Sequence, residues 1–140
     1  METIFCYNEY IMLYRTSYIF LLTTIYGIYN CHYKLSISPF IVALTSINFW
    51  RYPICSYRRI IDMIAVKSMI LYQTYMIYDA QYQIIYYKLL SIGIILYIFG
   101  YYQYHYNCKK KLSLYTHILV HILANAGLII LYSGNITTIF

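Results

Sequence analysis

Two histidines in the last apolar stretch of the chain, His117 and His121, have the side chains best suited to chemistry. They stand four positions apart, so on a helix both imidazoles lie on one face. Paired histidines at this spacing are common metal ligands, zinc among the metals bound. The surrounding segment, LSLYTHILVHILANAGLIILYSG, is apolar enough to cross a bilayer, where ionisable side chains are costly and are candidates for function. The spacing therefore predicts a metal site within a membrane protein, with these two histidines as ligands.

Two further polar residues lie on the same face of this helix. Ser113 precedes His117 by four positions and Asn125 follows His121 by four, so the four side chains form one stripe. Lipid would penalise such a stripe, and we expect it to face the interior of a helix bundle. The alternative to metal binding is interhelical hydrogen bonding, which in membranes contributes about 0.6 kcal/mol per bond on average.

Two more candidates, Asp62 and Ser46, belong to other segments. Asp62 lies about one turn inside the third apolar segment, where an aspartate needs a proton or a partner. It either pairs with Arg58 and Arg59 at the interface or acts on a metal-bound water or a histidine. Ser46 lies near the end of the second segment, four residues before Trp50. Its simplest role is a hydrogen bond to its own helix.

Composition identifies the class of protein. Of the 140 residues 62% are hydrophobic and only 10% are charged, whereas soluble domains average about 25% charged. Such a chain cannot cover a soluble surface, so we expect an all-α, polytopic transmembrane helix bundle that forms a single domain over residues 1–140. Judged against the roughly 20 residues that span a bilayer, about five helices are predicted, at approximately 10–29, 35–50, 57–78, 84–102 and 112–132.

The second of these helices is the weakest prediction. Ser38 before Pro39 is typical of an N-cap followed by proline at the first helical position. The helix would then be short and tilted, kinked at Pro39, or re-entrant.

The distribution of charge predicts the orientation. Five spans place the N-terminus and two loops on one side, and those loops carry most of the basic residues: Arg51, Arg58, Arg59, Lys109, Lys110 and Lys111. Because positive loops stay in the cytoplasm, we expect a cytoplasmic N-terminus and a C-terminus outside the cell or in a lumen. This also accounts for the net charge of +6, so nucleic acid is not an expected partner. Membrane lipids are the expected partners. A bundle of only five short helices also suggests that the chain self-associates.

Tyrosine is unusually abundant, at 22 residues. Tyrosine suits the bilayer interface, where one end of the ring is apolar and the other wet. The codons of tyrosine and isoleucine are also AT-rich, so an AT-rich genome such as that of a large DNA virus explains the count equally well. No tyrosine is therefore singled out as functional.

The order of the candidates resembles the CREST superfamily, which includes alkaline ceramidases and progestin/adipoQ receptors. The family pattern is Ser-x-x-x-His at the end of the second helix, Asp early in the third and His-x-x-x-His in the last. Matched by position, Ser46 and Asp62 would hold a zinc-bound water and His117 and His121 would bind zinc. The resemblance implies a zinc-dependent hydrolase of lipid amides or esters.

The chain departs from the family pattern at one ligand. Trp50 stands where the family has its remaining zinc histidine, and an indole cannot bind a metal. A catalytic zinc normally has three protein ligands and an open position, so Asp62, His105 or Cys108 would have to supply the third. Family members also have seven helices, against about five here.

Two functions therefore stay open. One is a divergent or degenerate zinc-dependent lipid hydrolase-like protein, with Ser46 and Asp62 as catalytic residues. The other is a non-enzymatic structural or accessory membrane protein with His117 and His121 in interhelical packing. A proton relay through Lys67 and these groups ranks last, because most of them lie near one side of the membrane.

Overall fold

The computed structural model describes residues 4–54, 56–107 and 109–136, and the secondary structure in these ranges is α-helical with no β-strand. The helices are α1 (Tyr7–Ser17), α2 (Ile19–Tyr29), α3 (Tyr33–Trp50), α4 (Tyr57–Met76), α5 (Gln83–His105) and α6 (Lys110–Tyr132). Only Tyr18 separates α1 from α2, and its backbone is itself helical. With those two counted as one rod, the described ranges hold five helices, which confirms the predicted number and the all-α class.

Three of the described helices are long and apolar enough to cross a membrane. They are Tyr7–Tyr29, Gln83–His105 and Lys110–Tyr132, with mean hydropathies of 1.2, 1.7 and 1.8. This finding is consistent with an integral membrane protein. The other two rods, α3 and α4, are more polar, and α4 alone carries four charged residues: Arg58, Arg59, Asp62 and Lys67.

The helix cap predicted at Ser38, with Pro39 as the first helical residue, was wrong. The helix begins at Tyr33, and Pro39 lies inside it rather than at its first position. A proline inside a helix has no N–H to give to the carbonyl four residues earlier, here that of Leu35. The Tyr132 hydroxyl of α6 donates to that carbonyl at 3.0 Å. A side chain distant in sequence thus satisfies the acceptor that the proline leaves, and the helix continues.

Two apolar clusters mark the two ends of the bundle. At one end, Leu35 of α3 packs with Met76, Leu131 and Tyr132. At the other end, Trp50 of α3 packs in a cluster of Phe5, Tyr10, Leu13, Phe49 and Leu114. Because α3 contributes to both clusters, it runs the length of the bundle as a continuous helix.

The loops that carry most of the basic residues, α3–α4 and α5–α6, lie at the end of the bundle that contains Trp50. The Ile4 N–H donates to the Pro53 carbonyl at 2.9 Å, which ties the N-terminal segment to the α3–α4 loop. Phe5 packs against Tyr104, near the end of α5, at a ring distance of 5.7 Å. The N-terminal segment and the loops α3–α4 and α5–α6 therefore meet here, as the predicted topology requires. We call this region the basic end.

Candidate functional site

The polar stripe of α6 faces the bundle interior, as predicted. Ser113, His121 and Asn125 are buried, and His117 is half-buried. The imidazole centroids of His117 and His121 lie 5.1 Å apart, with the ring planes inclined at 62°. The spacing of four thus places the two rings side by side.

His121 contacts both α1 and α2. Its Nδ1 lies 3.1 Å from Thr16 Oγ1, and its ring packs edge-on against Phe20. Thr16 Oγ1 also lies 3.0 Å from the Leu13 carbonyl oxygen, to which it can donate.

Asn125 makes the interhelical hydrogen bond that the stripe predicted as the alternative to metal binding. The Thr23 hydroxyl of α2 donates to Asn125 Oδ1 at 2.6 Å, and Asn125 Nδ2 donates to the His121 carbonyl at 2.7 Å. Sequence reasoning missed Thr23 and Thr16 as partners. Their separation of seven residues, which puts both on one face of the rod, is the signal that could have found them.

Asp62 and Ser46 are brought together. Asp62 Oδ1 accepts a hydrogen bond from Ser46 Oγ at 2.6 Å and another from Thr45 Oγ1 at 3.0 Å. Both Asp62 and Ser46 are buried. The Ser46 hydroxyl therefore bonds across to α4 and not to its own helix, and Thr45 is a partner that sequence reasoning missed. The catalytic roles of Asp62 and Ser46 stay predictions.

Trp50 is the α3 residue that packs against His117. The two ring centroids lie 5.2 Å apart at 70°, and Tyr97 of α5 approaches the same imidazole at 6.0 Å. The Trp50 side chain is only 4% exposed, and its Nε1–H has no hydrogen-bond partner among the described residues.

The described residues supply two histidines side by side, whereas a catalytic zinc normally has three protein ligands. Within residues 4–54, 56–107 and 109–136, no group of three or more His, Cys, Asp or Glu side chains could hold a metal ion. Facing His117 is the indole of Trp50, whose N–H is a donor without a lone pair for a metal. Of the other predicted third ligands, His105 is exposed and its ring contacts that of Tyr101 at 4.3 Å, and Cys108 lies outside the described residues. Binding of zinc by the two histidines stays a prediction.

No family model matches the chain, and comparison with curated proteins and with solved structures also gave no match. The resemblance to the CREST superfamily therefore rests on the order and spacing of Ser46, Asp62, His117 and His121.

Proposed function

We propose that this protein is a small, non-enzymatic integral membrane protein, a structural or accessory component built on a degenerate form of the zinc-hydrolase pattern. The observation that carries the proposal is the Trp50 indole packed against His117, where the pattern has its third zinc histidine. The remaining polar groups join helices: His121 contacts α1, and Asn125 contacts α2. Polar interhelical contacts of this kind hold membrane bundles together where apolar burial contributes little.

In this proposal all five rods cross the membrane, with the basic end and the N-terminus in the cytoplasm and the C-terminus on the opposite side. The support is the concentration of basic residues at one end of the bundle. The outer face of α5, which exposes Ile92, Ile95, Ile98 and Phe99, would face membrane lipids or a second copy of the chain.

Replacing both histidines by glutamine tests the structural role. A glutamine amide at position 121 can still hydrogen-bond Thr16 Oγ1, so His117→Gln with His121→Gln should reduce the free energy of unfolding by only about 1 kcal/mol or less. Unfolding is followed by circular dichroism in detergent, with His105→Gln, an exposed site, as the control. A double variant that folds normally but fails to replace the wild-type protein in its own cells would contradict a purely structural role.

An active lipid hydrolase is the second candidate, favoured by the short Ser46–Asp62 hydrogen bond of 2.6 Å inside the bundle. Purified protein is incubated with ceramide or phosphatidylcholine, and released fatty acid is measured. We expect the same background release from the wild type and from Asp62→Asn. Release that exceeds the Asp62→Asn background would establish the second candidate and exclude the first.

A further inference from the structure

Lys67 is an exposed cation at the middle of α4. The helix runs over Tyr57–Met76, so Lys67 is close to its midpoint. At a rise of 1.5 Å per residue, about 15 Å of helix separate Lys67 from either end. No hydrogen bond or ion pair joins its side chain to another described residue. Lys67 is therefore a positive charge that the described part of the chain leaves without a partner.

The acidic side chains of the described residues do not reach this charge. Asp62 is buried and accepts its hydrogen bonds from α3. It precedes Lys67 by five residues, which at 3.6 residues per turn puts the two on different sides of the helix. Glu9 lies in the first turn of α1 at the basic end, and Asp79 lies beyond the far end of α4. The described residues therefore supply no carboxylate at the depth of Lys67.

Lipid headgroups do not neutralise Lys67 either. In the arrangement of the proposed function α4 crosses the membrane, so Lys67 lies near the middle of a hydrocarbon core about 30 Å thick. The headgroups are then about 15 Å away, which is farther than the four-carbon stem of a lysine extends. Charged side chains at this depth are costly and are almost always paired. A carboxylate on a neighbouring helix is the partner that fits.

The surface around Lys67 suits a second helix. Ile64, Lys67, Ser68 and Leu71 are all exposed, and their spacing of three, four and seven residues puts them on one face, which we call the α4 outer face. Among the described helices, the backbone of α4 packs along that of α3 alone, so this face is left uncovered. The small side chain of Ser68 lets another transmembrane helix approach closely.

We propose that the α4 outer face docks a transmembrane helix of another protein that carries an aspartate or glutamate at the middle of its span. Lys67 forms an ion pair with that carboxylate, and Ile64 and Leu71 pack against apolar side chains on either side of it. The inference rests on the proposed function, in which α4 crosses the membrane. It gives the accessory role a partner of defined chemistry.

A second copy of this chain does not meet the requirement. Two copies that share one orientation and pair through the α4 outer face would bring Lys67 against Lys67, and like charges repel at this depth. The acidic residue nearest in depth, Asp62, is buried against α3 in each copy. The partner is therefore a different protein.

The test measures energy transfer between the full chain, labelled at its N-terminus, and synthetic transmembrane peptides in phosphatidylcholine vesicles. The probe is a helix of about 20 leucine and alanine residues with one aspartate at its centre. Two further peptides have leucine in place of the aspartate, or the aspartate moved two turns toward one end. We expect the central aspartate to strengthen association on the order of tenfold over both. Equal association of the three peptides, or none, overturns the docking site.

Variants locate the site on α4. Lys67→Met should remove the preference for the central aspartate, and Lys67→Arg should retain it, because the charge is kept. Ser68→Trp should also weaken association, because a large side chain blocks the approach. Lys88→Met is the matched control, since Lys88 is exposed but lies near the start of α5. An unchanged preference in Lys67→Met, or an equal loss in Lys88→Met, overturns the site.

A second copy as the occupant is tested without peptide. Two pools of the chain that carry different labels are mixed in the same vesicles. We expect any energy transfer between them to be the same for the wild type and for Lys67→Met. Transfer that is lost in Lys67→Met would assign the α4 outer face to a second copy and overturn the proposed partner.

Thiol labelling at position 67 separates this inference from the proposed function. Lys67→Cys is made in a chain whose native cysteines are replaced by serine, and a charged reagent that does not enter bilayers is added to both sides of the vesicles. A chain that retains Cys6 alone, exposed at the start of α1, is the positive control. Labelling as fast as that of Cys6 would place α4 in water and overturn both the five-rod arrangement and the docking site. Protection from the reagent, with equal association of the three peptides, overturns the docking site alone.

Discussion

Tyr132→Phe is expected to lower the free energy of unfolding by about 2–4 kcal/mol, because two buried groups lose their partner at once. The Tyr132 hydroxyl accepts from Gln73 Nε2 at 2.9 Å and donates to the Leu35 carbonyl at 3.0 Å. Gln73 has no ready replacement, since it is 1% exposed and its Oε1 is already without a partner among the described residues. The Leu35 carbonyl has no replacement donor at position 39 of its own helix, because that residue is proline.

The control for this change is Tyr72→Phe. The Tyr72 hydroxyl also donates to a backbone carbonyl, that of Lys34 at 3.1 Å, but this hydrogen bond is exposed. Water can replace it, so the expected change is within about 0.5 kcal/mol. Unfolding of both variants is followed by circular dichroism in detergent, and similar losses for the two would contradict the buried role of Tyr132.

A double-mutant cycle with Pro39→Ala tests the mechanism directly. Alanine restores the N–H that can bond the Leu35 carbonyl, so Tyr132→Phe should cost less in the Pro39→Ala background than in the wild type. We expect a coupling free energy of about 1 kcal/mol. Strict additivity of the two changes would show that the hydroxyl does not replace the missing helical hydrogen bond.

Gly27→Ala is expected to destabilise the same end of the bundle by about 1–3 kcal/mol. A Cβ at Gly27 would collide with Ser36 Oγ and lie 2.9 Å from two ring atoms of Tyr132. The Tyr132 ring cannot move away easily, because its hydroxyl is held by α3 and α4. The absence of a side chain at position 27 is therefore what lets α2 approach α3 and α6.

Gly93→Ala is the matched control for this substitution. Gly93 also lies within a helix, but a Cβ there would meet no described atom within 4 Å. Alanine favours a helix by about 1 kcal/mol over glycine, so Gly93→Ala should be neutral or stabilising. The comparison is made by thermal unfolding in the same detergent, and an equal loss of stability at both positions would rule out the steric explanation.

The sequence predicted the features that depend on a single helix. The spacing of Ser113, His117, His121 and Asn125 predicted a buried face of α6, because residues four apart share a face whatever surrounds them. In the family pattern that the chain resembles, the distance of four residues from Ser46 puts Trp50 in the place of the remaining zinc histidine.

The sequence did not predict the features that depend on contacts between segments far apart in the chain. Pro39 looked like a helix start, because the hydroxyl that satisfies Leu35 belongs to Tyr132, 97 residues further along the chain. Thr45 carried no signal of its own, because its role depends on which helices pack together. Propensity and capping rules do not include such contacts.

The most direct test of the central claim, that the histidine cluster holds helices together without zinc, is elemental mass spectrometry of detergent-purified protein from zinc-supplemented cells. The wild type is measured beside His117→Ala, His121→Ala. We expect zinc well below one ion per chain in the wild type, and the same low amount in the variant. About one zinc per chain in the wild type, lost in the variant, would contradict the claim and identify a metal site that uses both histidines.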